Sequence, residues 1–143
     1  VFSISPVAFI AFLITLGSAV RLAKFNTTDY TDEFEGLPTP ANALFFAALP
    51  LLIDHVYLIE SKEYLLNNYT LITLTISSVI LMNIPFRLFS LRISLRKHDY
   101  NIFKILTIFL SIPLILIFGL GGFSLVIILY LFLNVIRDLW SLI

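Results

Sequence analysis

Five apolar stretches, each near twenty residues long, leave this chain few ways to fold. A helix needs about twenty predominantly apolar residues to cross the hydrocarbon of a bilayer. The first stretch runs from about Ser5 to Ala23, with Pro6 near its start, where a missing amide donor is harmless. The second starts at Pro40 and continues to about Ile59, with Pro50, Asp54 and His55 inside it. The third runs from about Tyr69 to Leu88 with Pro85 near its end. The fourth covers about Asn101 to Leu120 with Pro113 inside, and the fifth Phe123 to Leu142. Apolar residues surround these segments rather than alternating along them, which predicts helices and argues against barrel strands. The expected fold class is all-α: a polytopic integral membrane protein with about five transmembrane helices in residues 1–143.

Composition agrees. With 59% hydrophobic and 13% charged residues, the chain does not read as an ordinary soluble globule. A formal net charge of zero supplies no global basic field, so nucleic acid is not an expected partner. The absence of cysteine removes disulfides, thiolate catalysis and cysteine metal sites. An apolar run starts at Val1 with no basic region ahead of it, which does not look like a signal peptide, and the chain is read as a fragment of a longer protein. No internal repeat or linker divides it into domains.

Charge placement tests the topology independently. If Arg21 and Lys24 face the cytoplasm, alternation of five spans puts 60–68 outside, 87–104 inside, 119–122 outside and Arg137 inside. Of the nine Lys and Arg residues only Lys62 then falls outside, as the positive-inside rule expects.

The stretch with the most chemical content is Arg21-Leu-Ala-Lys-Phe-Asn26, followed by the acidic connection 27–35 and then Gly36-Leu-Pro-Thr-Pro-Ala41. Arg21 and Lys24, three residues apart, share one helical face. Basic residues at helix ends ordinarily snorkel to the interface, and charge alone favours that reading. The same pair can hold a phosphate or a carboxylate, with Asn26 as a neutral donor or acceptor. Asp54 and His55 are adjacent, so on a helix they point about 100° apart and converge poorly on one ion; they are read as an interfacial pair. His98 and Asp99 are read as solvated, and Asn42, Asn83 and Asn134 as interhelical hydrogen-bond partners, with Asn42 close enough to the Gly36 block to serve both purposes. Asp29, Asp32, Glu33 and Glu35 are irregularly spaced, as in a solvated loop.

The blocks at 21–26 and 36–41 resemble the bacterial CDP-diacylglycerol–serine O-phosphatidyltransferases, the phosphatidylserine synthases of the CDP-alcohol phosphatidyltransferase family. That family commonly carries Arg-Leu-Ala-Arg-Phe-Asn and then Gly-Leu-Pro-x-Pro-x-Ala. Lys24 replaces the second Arg, which keeps the charge and loses a bidentate fork. Gly36, Leu37, Pro38, Thr39 and Pro40 match the second block, with the small residue at Ala41 or Ala43. The run from Asn83 to Ser90, continued to Arg92, resembles more loosely the end of a later family helix.

The resemblance implies a transferase of phospholipid biosynthesis at the cell membrane: the hydroxyl of L-serine attacks the phosphate that bears diacylglycerol in CDP-diacylglycerol, and CMP leaves. It implies substrate contacts or site architecture from Arg21, Lys24, Asn26, Gly36, Pro38, Thr39 and Pro40, on a connection facing the cytoplasm. It also implies a divalent metal ion, Mg or Mn, held by the family motif Asp-Gly-x2-Ala-Arg-x8-Gly-x3-Asp-x3-Asp. No Asp-Gly dipeptide occurs in these 143 residues. The metal ligands and the catalytic residues are therefore expected upstream of Val1, the chain is expected to supply C-terminal helices only, and by itself to be inactive. By analogy the whole enzyme is expected to be a homodimer. The alternatives are a sister phosphatidyltransferase with glycerol phosphate or inositol phosphate as acceptor, and a non-enzymatic membrane subunit or transporter segment.

Overall fold

The computed structural model describes residues 6–27, 34–55, 66–85, 87–88 and 101–140. Among them the chain is helical apart from one short strand pair. A 3₁₀ turn, Pro6–Ala11, leads into α1, Phe12–Thr27. There follow β1, Phe34–Glu35; α2, Thr39–His55; α3, Asn68–Asn83; β2, Arg87–Leu88; α4, Asn101–Phe118; a 3₁₀ turn, Gly119–Gly121; and α5, Gly122–Trp140. Two helical stretches, Ala8–Thr27 and Ile102–Trp140, are long and apolar enough to cross a membrane, and Thr39–Asp54 is a shorter apolar helix.

Local chemistry sets most of the helix ends. Asn67 caps α3, its side-chain oxygen accepting from the amide of Tyr69 at 3.2 Å. At the other end Pro85 disfavours helical geometry at the residue before it, and Ile84 is extended, with φ −66° and ψ 138°. The third helix thus stops at Asn83, five residues short of the expected Leu88. The first helix differs in the opposite sense. Nothing between Ala23 and Thr27 breaks it, so the helix runs past the expected Ala23 to Thr27, and Lys24 and Asn26 join Arg21 on its last turns. The acidic connection 28–33, the 89–100 segment with His98 and Asp99, and the end of the second apolar stretch lie outside the described residues.

The helices form two packed pairs joined through α2. The first and third helices are neighbours, and the fourth and fifth fold back on each other as a hairpin whose turn sits on the second. The 39-residue apolar stretch is therefore two antiparallel helices. Gly119, at φ 57°, supplies the left-handed residue that reverses the chain. A Cβ added at Gly121 would lie 2.6 Å from the amide nitrogen of Leu52, and one at Gly122 would lie 2.5 Å from the carbonyl oxygen of Leu114. The two glycines bring three backbones together. Ser124 Oγ then donates to the carbonyl of Phe45 at 2.8 Å, joining α5 to α2.

Leu37, Met82, Leu88 and Ile127 form the buried apolar cluster, flanked by Ile14, Ala41, Phe45, Tyr130 and Leu131. It ties the residues after α1 and α3 to the middle of α5. Polar side chains are buried around it: Asn42 at 1% exposure and Ser124 and Asn134 at 0%. Large apolar side chains point outward, among them Phe9, Phe109 and Leu116.

Alanine at Gly121 forces α5 away from the backbone of Leu52, whereas alanine at Gly119 meets nothing within 4 Å and carries only the left-handed backbone cost, about 1–2 kcal/mol. Thermal unfolding of the complete protein in detergent should show a larger drop in Tm for Gly121→Ala than for Gly119→Ala; equal drops would contradict the close approach.

Candidate functional site

The end of α3 is where the two sequence blocks meet. Helices leave their last carbonyls without intrahelical partners, and here α1 and the 36–38 loop supply some of the donors. The Leu37 amide donates to Leu81 O at 2.9 Å. Lys24 Nζ donates to Asn83 O at 3.2 Å. A cation near the C-terminal carbonyls of a helix also complements its macrodipole. Arg21, half-buried, donates through Nη2 to Gly36 O at 3.3 Å. The two cations thus hold the returning loop and the adjacent helix end.

Gly36 is required by this geometry. Its φ is 67°, and an added Cβ would run into the Met82 carbonyl. The chain on either side is anchored: β1 pairs antiparallel with β2, Phe34 opposite Leu88 and Glu35 opposite Arg87. Pro38 O accepts from the amide of Asn42 at 3.0 Å, starting α2. Thr39 is half-buried on the first turn, and Pro40, exposed beside it, occupies a position where no amide donor is needed.

A polar layer lies beside this junction. Ser78 Oγ donates to Asn42 Oδ1 at 2.7 Å between α3 and α2. Asn83 Nδ2 donates to Gly17 O at 3.2 Å, joining α3 to α1, and to Val79 O at 3.0 Å. The expectation of interhelical hydrogen bonding holds for both asparagines. Ser18 Oγ also contacts Met82 Sδ at 3.7 Å, and a Cβ on Gly17 would lie 3.0 Å from Val79 Cγ1, so α1 and α3 approach closely at the small pair Gly17-Ser18. Asn134 Nδ2 donates within its own helix to Tyr130 O at 2.7 Å.

Of the residues expected at the site, Arg21, Lys24, Gly36, Pro38, Thr39 and Pro40 come together at one end of the fold. Asn26 does not converge with them. It lies five residues beyond Arg21 on a continuous helix, about 140° round the axis, and is exposed. Ser78 was not expected in this junction; Asn83 was expected as an interhelical partner, but nothing in the sequence marked Gly17 as the residue it would meet. Asp54 is exposed on the last turn of α2. Among the described residues, no group of three or more His, Asp or Glu side chains is placed to hold a metal ion.

The described Lys and Arg residues share this end. Lys104 begins α4 and Arg137 ends α5, opposite the hairpin turn that rests on the far part of α2, and Arg87 lies in β2. Comparison of the chain with protein-family models, with curated proteins and with solved structures finds no match.

Replacing Gly36 with Ala combines a left-handed alanine with a backbone collision at Met82, and should cost more than about 2 kcal/mol. Denaturation of the purified complete protein would measure this, and an unchanged midpoint would mean that the 36–38 loop is not seated on α3.

Proposed function

We propose that this chain is part of a membrane-embedded phosphatidyltransferase that transfers the phosphatidyl group of CDP-diacylglycerol to L-serine, releasing CMP. The observation that carries the reading is the direct contact between its two motif blocks, Arg21 Nη2 on Gly36 O. Residues fifteen positions apart, resembling two separate signatures of one enzyme family, meet at the basic end of the fold. The buried polar layer and the outward apolar side chains support a multi-pass arrangement in the cell membrane, because helices in lipid associate through small and polar residues and present apolar ones to the hydrocarbon. The clustering of cations supports a cytoplasmic orientation for this end.

In this reading the chain's own residues position charge. Displacement at phosphorus leaves developing negative charge on phosphoryl oxygens, and fixed cations stabilise it. A guanidinium carries five donors and an ammonium three. The bonds to Gly36 O and Asn83 O orient Arg21 toward the loop and Lys24 toward the end of α3. The serine hydroxyl passes its proton to a base supplied from elsewhere in the protein as its oxygen bonds to phosphorus, and the bond to the CMP oxygen breaks, its electron pair leaving with CMP. The carboxylates that hold the family's metal ion, and the catalytic residues, must come from elsewhere in the protein.

A second reading rests on the same contacts. Cations that donate to backbone carbonyls also serve as structural ties, and a non-enzymatic membrane subunit needs nothing more from them. The complete protein, assayed for CMP release from CDP-diacylglycerol with serine, glycerol 3-phosphate or inositol phosphate as acceptor, separates the possibilities. Serine-dependent turnover is expected. Arg21→Ala should raise the KM for serine or for the lipid nucleotide at least tenfold, the effect of losing about 1.4 kcal/mol or more of charge-assisted bonding. A lower Tm with kinetics unchanged would assign Arg21 to the structural tie, and no turnover with any acceptor would remove the enzyme reading.

A further inference from the structure

We infer that the open end of the α4–α5 hairpin is a binding site for the phosphate of an anionic lipid, with Lys104 and Arg137 as its cations. The two helices carry these two cations and one carboxylate, Asp138. Both cations are buried, Lys104 at 8% exposure and Arg137 at 6%, while the Asp138 side chain is 35% exposed. Ionisable residues inside apolar helices are costly and mark binding or transport sites far more often than random positions do.

Helical geometry brings the two cations to one seam. α4 packs mainly on α5 and the turn between them, so its buried Lys104 and Thr107, one turn apart, belong to that seam. On α5, Gly122 marks the α4-facing side and Ser124 the α2-facing side. Arg137 is fifteen residues beyond Gly122, about 60° from its direction, and thirteen beyond Ser124, about 140° away. It therefore lies nearer the α4-facing side of α5 than the α2-facing side, on the same side as Tyr130, whose hydroxyl feels its charge.

Counting from the contact of Gly122 with Leu114, the Arg137 backbone lies about 7 Å nearer the basic end than that of Lys104. Helical side chains lean toward the N-terminus of their own helix. In this antiparallel pair Lys104 leans toward Arg137 and Arg137 toward Lys104. Asp138 Oδ1 accepts from Arg137 Nε at 2.9 Å and Nη2 at 2.6 Å, which orients one edge of the guanidinium. Two cations on one seam, Arg137 oriented by Asp138, near the end of a hairpin apolar enough to lie in a membrane, suit the negative charge of a lipid phosphate. A guanidinium and an ammonium are both established phosphate donors. This site is separate from the Arg21 junction and does not depend on the proposed transferase reaction.

The test is native mass spectrometry of the complete protein released from nanodiscs of phosphatidylcholine with 20% phosphatidylglycerol, on the order of the anionic fraction that gives membranes a negative surface potential. Retained phosphatidylglycerol in preference to phosphatidylcholine is expected. Lys104→Gln and Arg137→Gln should each lower retention about fivefold, as expected for one basic contact with an anionic lipid. Lys104→Arg, which keeps the charge, should restore it even if the neutral variants prove unstable. Equal retention of the two lipids, or equal retention by Lys104→Gln and the unaltered protein, would overturn the proposal. Displacement of the lipid by millimolar inorganic phosphate would instead assign the site to the free anion.

Discussion

The C-terminus of α3 is the constraint on which the basic end depends. Leu81, Met82 and Asn83 end the helix with carbonyls that have no intrahelical partner, and Pro85 prevents the ladder from continuing. The Leu37 amide and the Lys24 ammonium take two of them, and Gly36 lies close against the third. In an apolar environment an unmet backbone acceptor costs several kcal/mol. The position of the 36–38 loop and the direction of the last turns of α1 are thus coupled to one helix end.

A second constraint lies at the opposite end. Gly121 and Gly122 let the backbones of α2, α4 and α5 approach to distances that no side chain tolerates, and the Ser124 hydroxyl tethers α5 to Phe45. Small residues and hydroxyls do here what large apolar side chains do in a water-soluble core. The middle of the structure combines both modes: Leu37, Met82, Leu88 and Ile127 pack together while Ser78 and Asn42 bond beside them. Because the apolar cluster contains residues from the loop after α1, the end of α3, β2 and α5, it joins the first helix pair to the hairpin.

These contacts change the meaning of the cations. As a sequence pattern, Arg21 and Lys24 are a charged pair three residues apart, which charge alone assigns to an interface before an anion. In the fold they touch the glycine loop that carries the second motif and the end of a helix 59 residues away. A residue that holds a loop can also present that loop's site to a ligand, so a structural contact and a binding role are compatible. The mutational readout that separates them is a kinetic constant measured beside stability.

Much of the architecture was legible because it depends on local chemistry. Long apolar runs and the glycines before Phe123 predict helices and a tight turn, and these are present. Near the ends the reading erred where competing local signals were weak: nothing stops α1 at Ala23, while one proline ends α3 before Leu88. The amino-acid sequence by itself determined which segments are helical and that cations and glycine-proline punctuation lie between them. Only the tertiary structure decided that Lys24 meets Asn83, that Asn83 meets Gly17 and that β1 pairs with β2, because those contacts join residues far apart in the chain and follow from how whole helices pack.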